Sequence, residues 1–551
     1  MLQQSYFYQS KLRYRLELKR QLTIRYYYIG NALKSLNKYQ EAIECYDKAI
    51  SINPNYEAAW INKGLALNKL NQYQEAIECY NKAISINPNY DVTWYLKGHA
   101  LSKLNQYQKA IECYDKSISI NPNYDVTWFN KGNQLLEQHY IGISLSKINK
   151  YYEAIECYDK AIFINPNYDL TWYLKGHALN KLNRYQEAIE CSDKAISINP
   201  NYDDAWNNKG NALKSLNKYQ EAIECYDKAI KINPNNFGVW NNKGIALDNL
   251  NQHQEAMECY NKAISINPNY DVAWNNKGNA LNHLHKYQEA VECYYKAIFI
   301  NPNYDVAWNN IGDGLSKLNK YKDAIECYKK AISINPNYDV TWFHNGLALS
   351  NLNKYQEAIE CYDKAISINP NYEAAWINKG HALNKLNQYQ EAIECYDKAI
   401  SINSNYEAAW NNKGLALTKL NKYQEAIECY DKVISINQNS DAAWNNKGFA
   451  LSNLYQYQDA IECYDKAISI NSKHDTAWQN KGLILHNLNK YKDAIICYDQ
   501  ALSISITPKS LRLKADSLIK LGNEQEAYEL ILDSLNQEQE NHLLIMTYLS
   551  W

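Results

Sequence analysis

The sequence predicts an all-α solenoid built from stacked antiparallel helix pairs. Three observations predict it. A motif that opens at Lys38, Lys-Tyr-Gln-Glu-Ala-Ile-Glu-Cys-Tyr-Asp-Lys-Ala-Ile, returns every 34 residues, lightly varied, down to Lys490. Each period carries two apolar stripes spaced near 3.6 residues, the mark of two amphipathic helices. Each period also ends on Asn-Pro-Asn-Tyr or a close variant, a turn that separates one copy from the next. A fixed period of this size means one supersecondary unit copied and stacked, with a core that runs as a seam along the array.

Residues 57–90 show the elements of one unit. The first helix is read from Trp60, Gly64, Leu67 and Leu70, with Ala66 beside them. The second is read from Tyr73, Ala76, Ile77, Tyr80, Ala83 and Ile84, which fall at i, i+3, i+4, i+7, i+10 and i+11. Gly64 and Ala76 are small where the two helices must approach closely. Asn71, followed three residues later by Gln74, has the spacing of a capping box, with Asn in place of Ser or Thr. Pro88 lacks a backbone donor and is expected to stop the second helix. Asp91 then sets negative charge at the next helix N-terminus. Lys63 is expected to lay its stem along the neighbouring helix and keep its ammonium in water.

Along the chain, segment 1–22 comes first, with Lys11, Arg13, Arg15, Lys19 and Arg20 against the single acid Glu17. It lacks the apolar region of a secretory signal. It reads as a capping helix whose Leu12, Leu16 and Leu22 cover the open end of the first unit, with an organelle-targeting helix as the alternative. Units one to three occupy 23–124. The fourth, 125–168, is ten residues too long, because the Gly142-to-Tyr151 separation repeats that of Gly98 to Tyr107. Ten helical residues turn an apolar stripe by about 1000°, roughly 80° short of whole turns. A break near Gly142 is therefore expected, dividing the array into a short N-terminal and a long C-terminal part. Units five to fourteen fill 169–508. In 509–551 a degenerate unit keeps Ala527 but lacks the Trp and Gly. Its tail, Leu543, Leu544, Ile545 and Met546, is expected to fold back as a C-terminal cap, or else to dock another subunit.

The chain has 58 basic and 60 acidic residues and a formal charge of −2. So balanced a chain has no overall field to attract nucleic acid, and no run of about 18 apolar residues suggests membrane insertion. Fourteen cysteines occur once per unit, with no Cys-x-x-Cys, so no metal-ligand spacing exists. Equivalent helices should lie roughly 8–10 Å apart, whereas a disulfide needs Cα atoms within about 7 Å. The thiols therefore read as small packing residues in a reducing compartment, which points to the cytoplasm or an organelle-associated complex. His283 and His285 face different ways on a helix, and His99, His177 and His381 sit in units two or more apart. No Gly-rich phosphate loop appears. No catalytic residues, metal site or cofactor are expected.

Trp60, Gly64, Leu67, Ala76, Tyr80, Ala83 and Pro88 stand at positions 4, 8, 11, 20, 24, 27 and 32 of the unit. In this the chain resembles the tetratricopeptide repeat, over about residues 23 to 508. The resemblance implies a right-handed superhelix whose first helices line a concave groove through positions 2, 5, 6, 9, 12 and 13. Position 6 is Asn62, Asn130, Asn208, Asn242, Asn276, Asn310, Asn378, Asn412, Asn446 and Asn480. Leu96, Leu174 and His344 interrupt the row. A carboxamide donates and accepts, so it can pair with a peptide main chain whatever that peptide's sequence. The row resembles the asparagine ladder in the repeat region of O-linked N-acetylglucosamine transferases. The family's chaperone-binding carboxylate clamp uses Lys or Arg at positions 2, 5 and 6, and none of the fourteen units has one there. The expected function is a non-enzymatic scaffold that binds other proteins or extended peptides. The alternative is the substrate-recognition arm of an enzyme complex such as a protein O-glycosyltransferase.

Overall fold

The computed structural model describes residues 2–138 and 144–549, with side chains for 5–134 and 150–537. These residues form thirty α-helices, which pair antiparallel along two compact units, Met1–Leu284 and His285–Trp551. A typical pair is Glu57–Lys69 with Tyr73–Ile86. Within each unit a second helix packs on its own first helix and on the first helix of the next pair.

The tyrosine at position 24 explains the small residues. Tyr80 is fully buried, and a Cβ added at Gly64 would meet its Cε1 at 2.6 Å. Burying such a ring stabilises by about 2–3 kcal/mol. The tryptophan at position 4 is fixed differently. Trp94 Nε1 donates to the Pro88 carbonyl at 2.9 Å, and each later tryptophan down to Trp478 donates to the carbonyl six residues before it.

The turn between the helices corrects the capping-box reading. Asn71 has φ +60°, and the chain folds back there with Gln72 N donating to Leu67 O at 2.9 Å. The Asn71 side chain accepts from Tyr73 OH at 2.7 Å, and the second helix starts after Gln72 with no side-chain cap. Asn serves because it tolerates the left-handed region that most L-residues avoid.

Proline is likewise not what ends the second helix. Where Ser404, Gln438 and Ser472 replace it, the helices still stop at Ile402, Ile436 and Ile470. The constant element is the preceding asparagine. Asn403 Oδ1 accepts from Asn405 N at 3.2 Å, an Asx turn that diverts the backbone. In most units this asparagine also ties back to the acid at position 1, as Asn121 does to Asp91 at 2.6 Å.

The lysine at position 7 is not left in water. Lys63 lies 2.5 Å from Asp47 of the preceding unit and over the Trp60 ring. Lys209 and Asp193, at 2.6 Å, and Lys447 and Asp431, at 2.6 Å, repeat the arrangement. Half the pair is exposed, so each bridge contributes no more than about 1 kcal/mol. Where Asn81 or Asn261 replaces the aspartate, Lys97 and Lys277 rest 5.4 Å from the centres of Trp94 and Trp274. Where position 25 is Tyr295 or Lys329, the facing position 7 is Ile311 or Asn345, not lysine.

The fourteen cysteines are free thiols, all but Cys45 buried. Burial pushes Cys79 and Cys225 up to about 11.

Two expectations about the ends are revised. The N-terminal segment does not cap the first pair. It continues into it as one helix, Leu2–Ser35, and Leu12 and Leu16 are each 59 % exposed. The expected break at Gly142 lies outside the described residues. The helices on either side, Asp125–Gln138 and Ser144–Ile164, still pair in register, with Tyr158 OH donating to Asn133 Oδ1 at 2.8 Å. Asn149, the counterpart of Asn71, is helical, so part of the extra length is taken up by melting the turn into the second helix. At the other end a fifteenth pair forms, Pro508–Lys520 and Glu524–Leu549. It begins one residue earlier than expected, capped by Thr507. Its backbone remains one helix through Leu549, so the tail does not fold back.

Candidate peptide-binding face

The position-6 asparagines lie on the first helices, half-buried, and what each does is set by position 5 of the unit before it. Where that residue is asparagine, the two amides join across units. Asn242 Nδ2 donates to Asn207 Oδ1 at 3.1 Å, and Asn276 Nδ2 to Asn241 Oδ1 at 3.0 Å. Asn446 reaches Asn411 at 3.4 Å and Asn480 reaches Asn445 at 3.2 Å in the same way. Asn62 donates to Tyr27 OH at 3.2 Å and accepts from Lys34 Nζ.

Where position 5 is apolar, or offers no acceptor in reach, the amide turns elsewhere. Asn378 follows Phe343 and donates to its own helix at Ala374 O, 2.8 Å. Asn130 follows Tyr95 and donates to Val126 O at 2.7 Å. Asn412 follows Ile377 and has no hydrogen-bond partner among the described residues. Asn310 is engaged as well.

Asn208 departs from the row. It is 4 % exposed and donates to Ser192 Oγ at 3.1 Å. Ser192 stands where other units carry the buried tyrosine, and Asn208 has moved into the space. Its own Oδ1 accepts from Asn180 at 2.7 Å. Asn208 is therefore a core residue, and its place in the accessible row is corrected.

The sequence reading placed positions 5 and 12 in the groove by resemblance but singled out no site residue there. Asn241, Asn275 and Asn309 are buried, and the signal was the recurring Asn-Asn pair. At position 12, Lys34 and Lys214 bring cations to this face. Burial holds both ammonium groups below the usual lysine range. His99 and His381, at position 9, are held below the usual imidazole range by burial and by Lys103 and Lys385. No group of three metal-ligating side chains exists among the described residues. None of the described helices is long and apolar enough to cross a membrane.

The tetratricopeptide-repeat profile matches residues 24–56, 57–90, 92–124, 170–202, 203–236, 238–270, 272–304, 306–338, 340–372, 373–406, 407–440 and 442–474. A second profile of the same repeat matches 141–168 and 475–505. The chain belongs to the tetratricopeptide-repeat family. Among curated proteins no sequence matches it. Among solved structures it is similar to MamA, at 26 % identity over 31 % of this chain and 92 % of that one, TM-score 0.30. It is similar to the APC/C hetero-tetramer Cut9–Hcn1 at 16 % identity over 83 % of this chain and 95 % of that one, TM-score 0.38. It is similar to YrrB, a TPR protein with an unusual peptide-binding site, at 25 % identity over 34 % and 96 %, TM-score 0.30. As a tetratricopeptide-repeat protein it is of a kind that generally serves protein–protein interaction.

Proposed function

We propose that this tetratricopeptide-repeat protein is a non-enzymatic scaffold that holds extended peptide segments against its position-6 asparagines. The observation that carries this is the state of the row. At Asn242, Asn276 and Asn480 the inter-unit bond uses one amide proton and leaves further hydrogen-bonding capacity for a ligand. Asn62 is already committed to Tyr27, Ala58 and Lys34, and Asn412 has no partner among the described residues. The cross-unit bonds also hold the amides in fixed orientation, which lowers the entropic cost of binding. Repeats about 8–10 Å apart meet every third residue of an extended chain at about 3.3 Å per residue. Lys34 and Lys214 add positive charge, and the absence of Lys and Arg at positions 2, 5 and 6 disfavours a carboxylate clamp. The buried thiols suit a reducing compartment such as the cytoplasm.

The test is crosslinked affinity purification of the intact chain beside a variant carrying Asn378→Ala, Asn412→Ala and Asn446→Ala, with folding checked by circular dichroism. Partners lost from the folded variant support the groove, and partners retained by it reject the groove. The same asparagine row favours a second reading, the recognition arm of a protein O-glycosyltransferase complex. Recovery of a glycosyltransferase with the intact chain would select that reading.

A further inference from the structure

Inside the stack, position 21 of each second helix is covered by the next unit. Ile43, Ile77 and Ile427 are 6–7 % exposed there. In the fifteenth pair the same position is Tyr528, 62 % exposed, and position 28 is Leu535, 47 % exposed. With Leu532 between them they form an exposed i, i+4, i+7 stripe on the helix Glu524–Leu549, uncovered among the described residues. Its exposed flanks are Glu524, Glu526, Glu529 and Asp533, with no base up to Gln537.

The opposite end carries the opposite charge. In the helix Leu2–Ser35, residues 5–20 are exposed throughout and hold Lys11, Arg13, Arg15, Lys19 and Arg20 against Glu17. Phe7, Tyr14 and Leu18 recur there at i, i+7 and i+11. Arg25 occupies position 3, where later units bury a small residue such as Ala59 or Thr93. Arg25 is itself exposed, as is the arm N-terminal to it over residues 5–20.

We propose that the partner is a second copy of this chain, with the basic arm of one copy lying along the acidic, apolar-striped last helix of the next. The arm of residues 2–22 is about 30 Å long and the last helix about 39 Å, at about 1.5 Å per residue, so the lengths are compatible. The contact joins the arm of one copy to the last helix of another, so it closes into a ring or runs on from copy to copy according to the rotation between the copies. Opposed charges bring the ends together, and the stripe supplies the apolar contact once salt-sensitive steering has aligned them.

The test is sedimentation velocity of the full chain from 2 to 200 µM. The expected result is a mass that rises above the monomer in about 50 mM salt, with association at least about tenfold weaker in about 500 mM salt. Two exposed charge-reversal variants sharpen it: Lys11→Glu/Arg13→Glu/Lys19→Glu, and Glu524→Lys/Glu529→Lys/Asp533→Lys. Each alone is expected to remain monomeric, and the equimolar mixture to regain association, because each then offers the charge the other lacks. A wild type that is monomeric at 200 µM would overturn the proposal. So would a mixture that stays monomeric, or arm binding to phosphatidylserine vesicles with no self-association.

Discussion

Asn251 and Tyr455 occupy equivalent turns, with φ of 60° and 61°. An asparagine tolerates that region, whereas a tyrosine pays roughly 1–2 kcal/mol for it, and the Tyr455 ring lies 78 % exposed. Tyr455→Asn should stabilise its unit by about 1 kcal/mol, read as slower native-state hydrogen exchange over 441–470. A second contrast separates core from row. Asn208→Ala strands Ser192 and Asn180 in a buried site and should cost about 1–3 kcal/mol. Asn412→Ala, with no partner to lose, should leave stability within about 0.5 kcal/mol. Asn71 was visible in the sequence, yet its role was not, because the same residue type favours helix caps and left-handed turns alike. Asn208 was misplaced for another reason. Ser192 announced a missing ring, but which neighbour would fill the space depends on a contact sixteen residues away that periodicity does not encode.

At the scale of the helix pair, glycine at position 8 is legible from the sequence because the tyrosine at position 24 demands it. A Cβ at Gly244 would meet Tyr260 at 2.5 Å. Gly244→Ala should therefore destabilise by about 1–3 kcal/mol through overpacking, despite the better helix propensity of alanine. At Gly176 the nearest atom is Asn208 Nδ2 at 3.1 Å, so Gly176→Ala should cost less than about 1 kcal/mol. Local hydrogen exchange in the two variants measures the difference. Helix existence and pairing followed from the 3.6-residue stripes. The ends were harder to read, because local propensity continues a helix wherever no packing partner stops it, as in Leu2–Ser35 and Glu524–Leu549.

For the whole molecule, the buried thiols predict alkaline lability. Their folded pKa, about 11 for Cys79, Cys225 and Cys429, stands above the unfolded cysteine value of about 8.5. The unfolded chain loses protons first as pH rises, so stability is full below about pH 8.5 and falls as pH climbs toward 11. One thiol per unit makes the loss collective, and helicity followed from pH 8 to 11 should collapse steeply. Conversion of the cysteines to alanine or serine should flatten that decline.

Near-identical repeats raise a problem of mis-threading: during folding, many first helices would fit many second helices. The exceptions at positions 7 and 25 act as address labels. Lys329 set against any of the lysine-bearing first helices would bring two ammonium groups together, whereas Asn345 is neutral and leaves Lys329 to pair with Glu326 at 3.0 Å. At the joint before it, Tyr295 hydrogen-bonds the Cys327 thiol and Ile311 stands where other units carry lysine. A chain that swapped its order at these points would therefore be penalised, and two adjacent joints in an otherwise interchangeable ladder become sites where sequence order is written into energy.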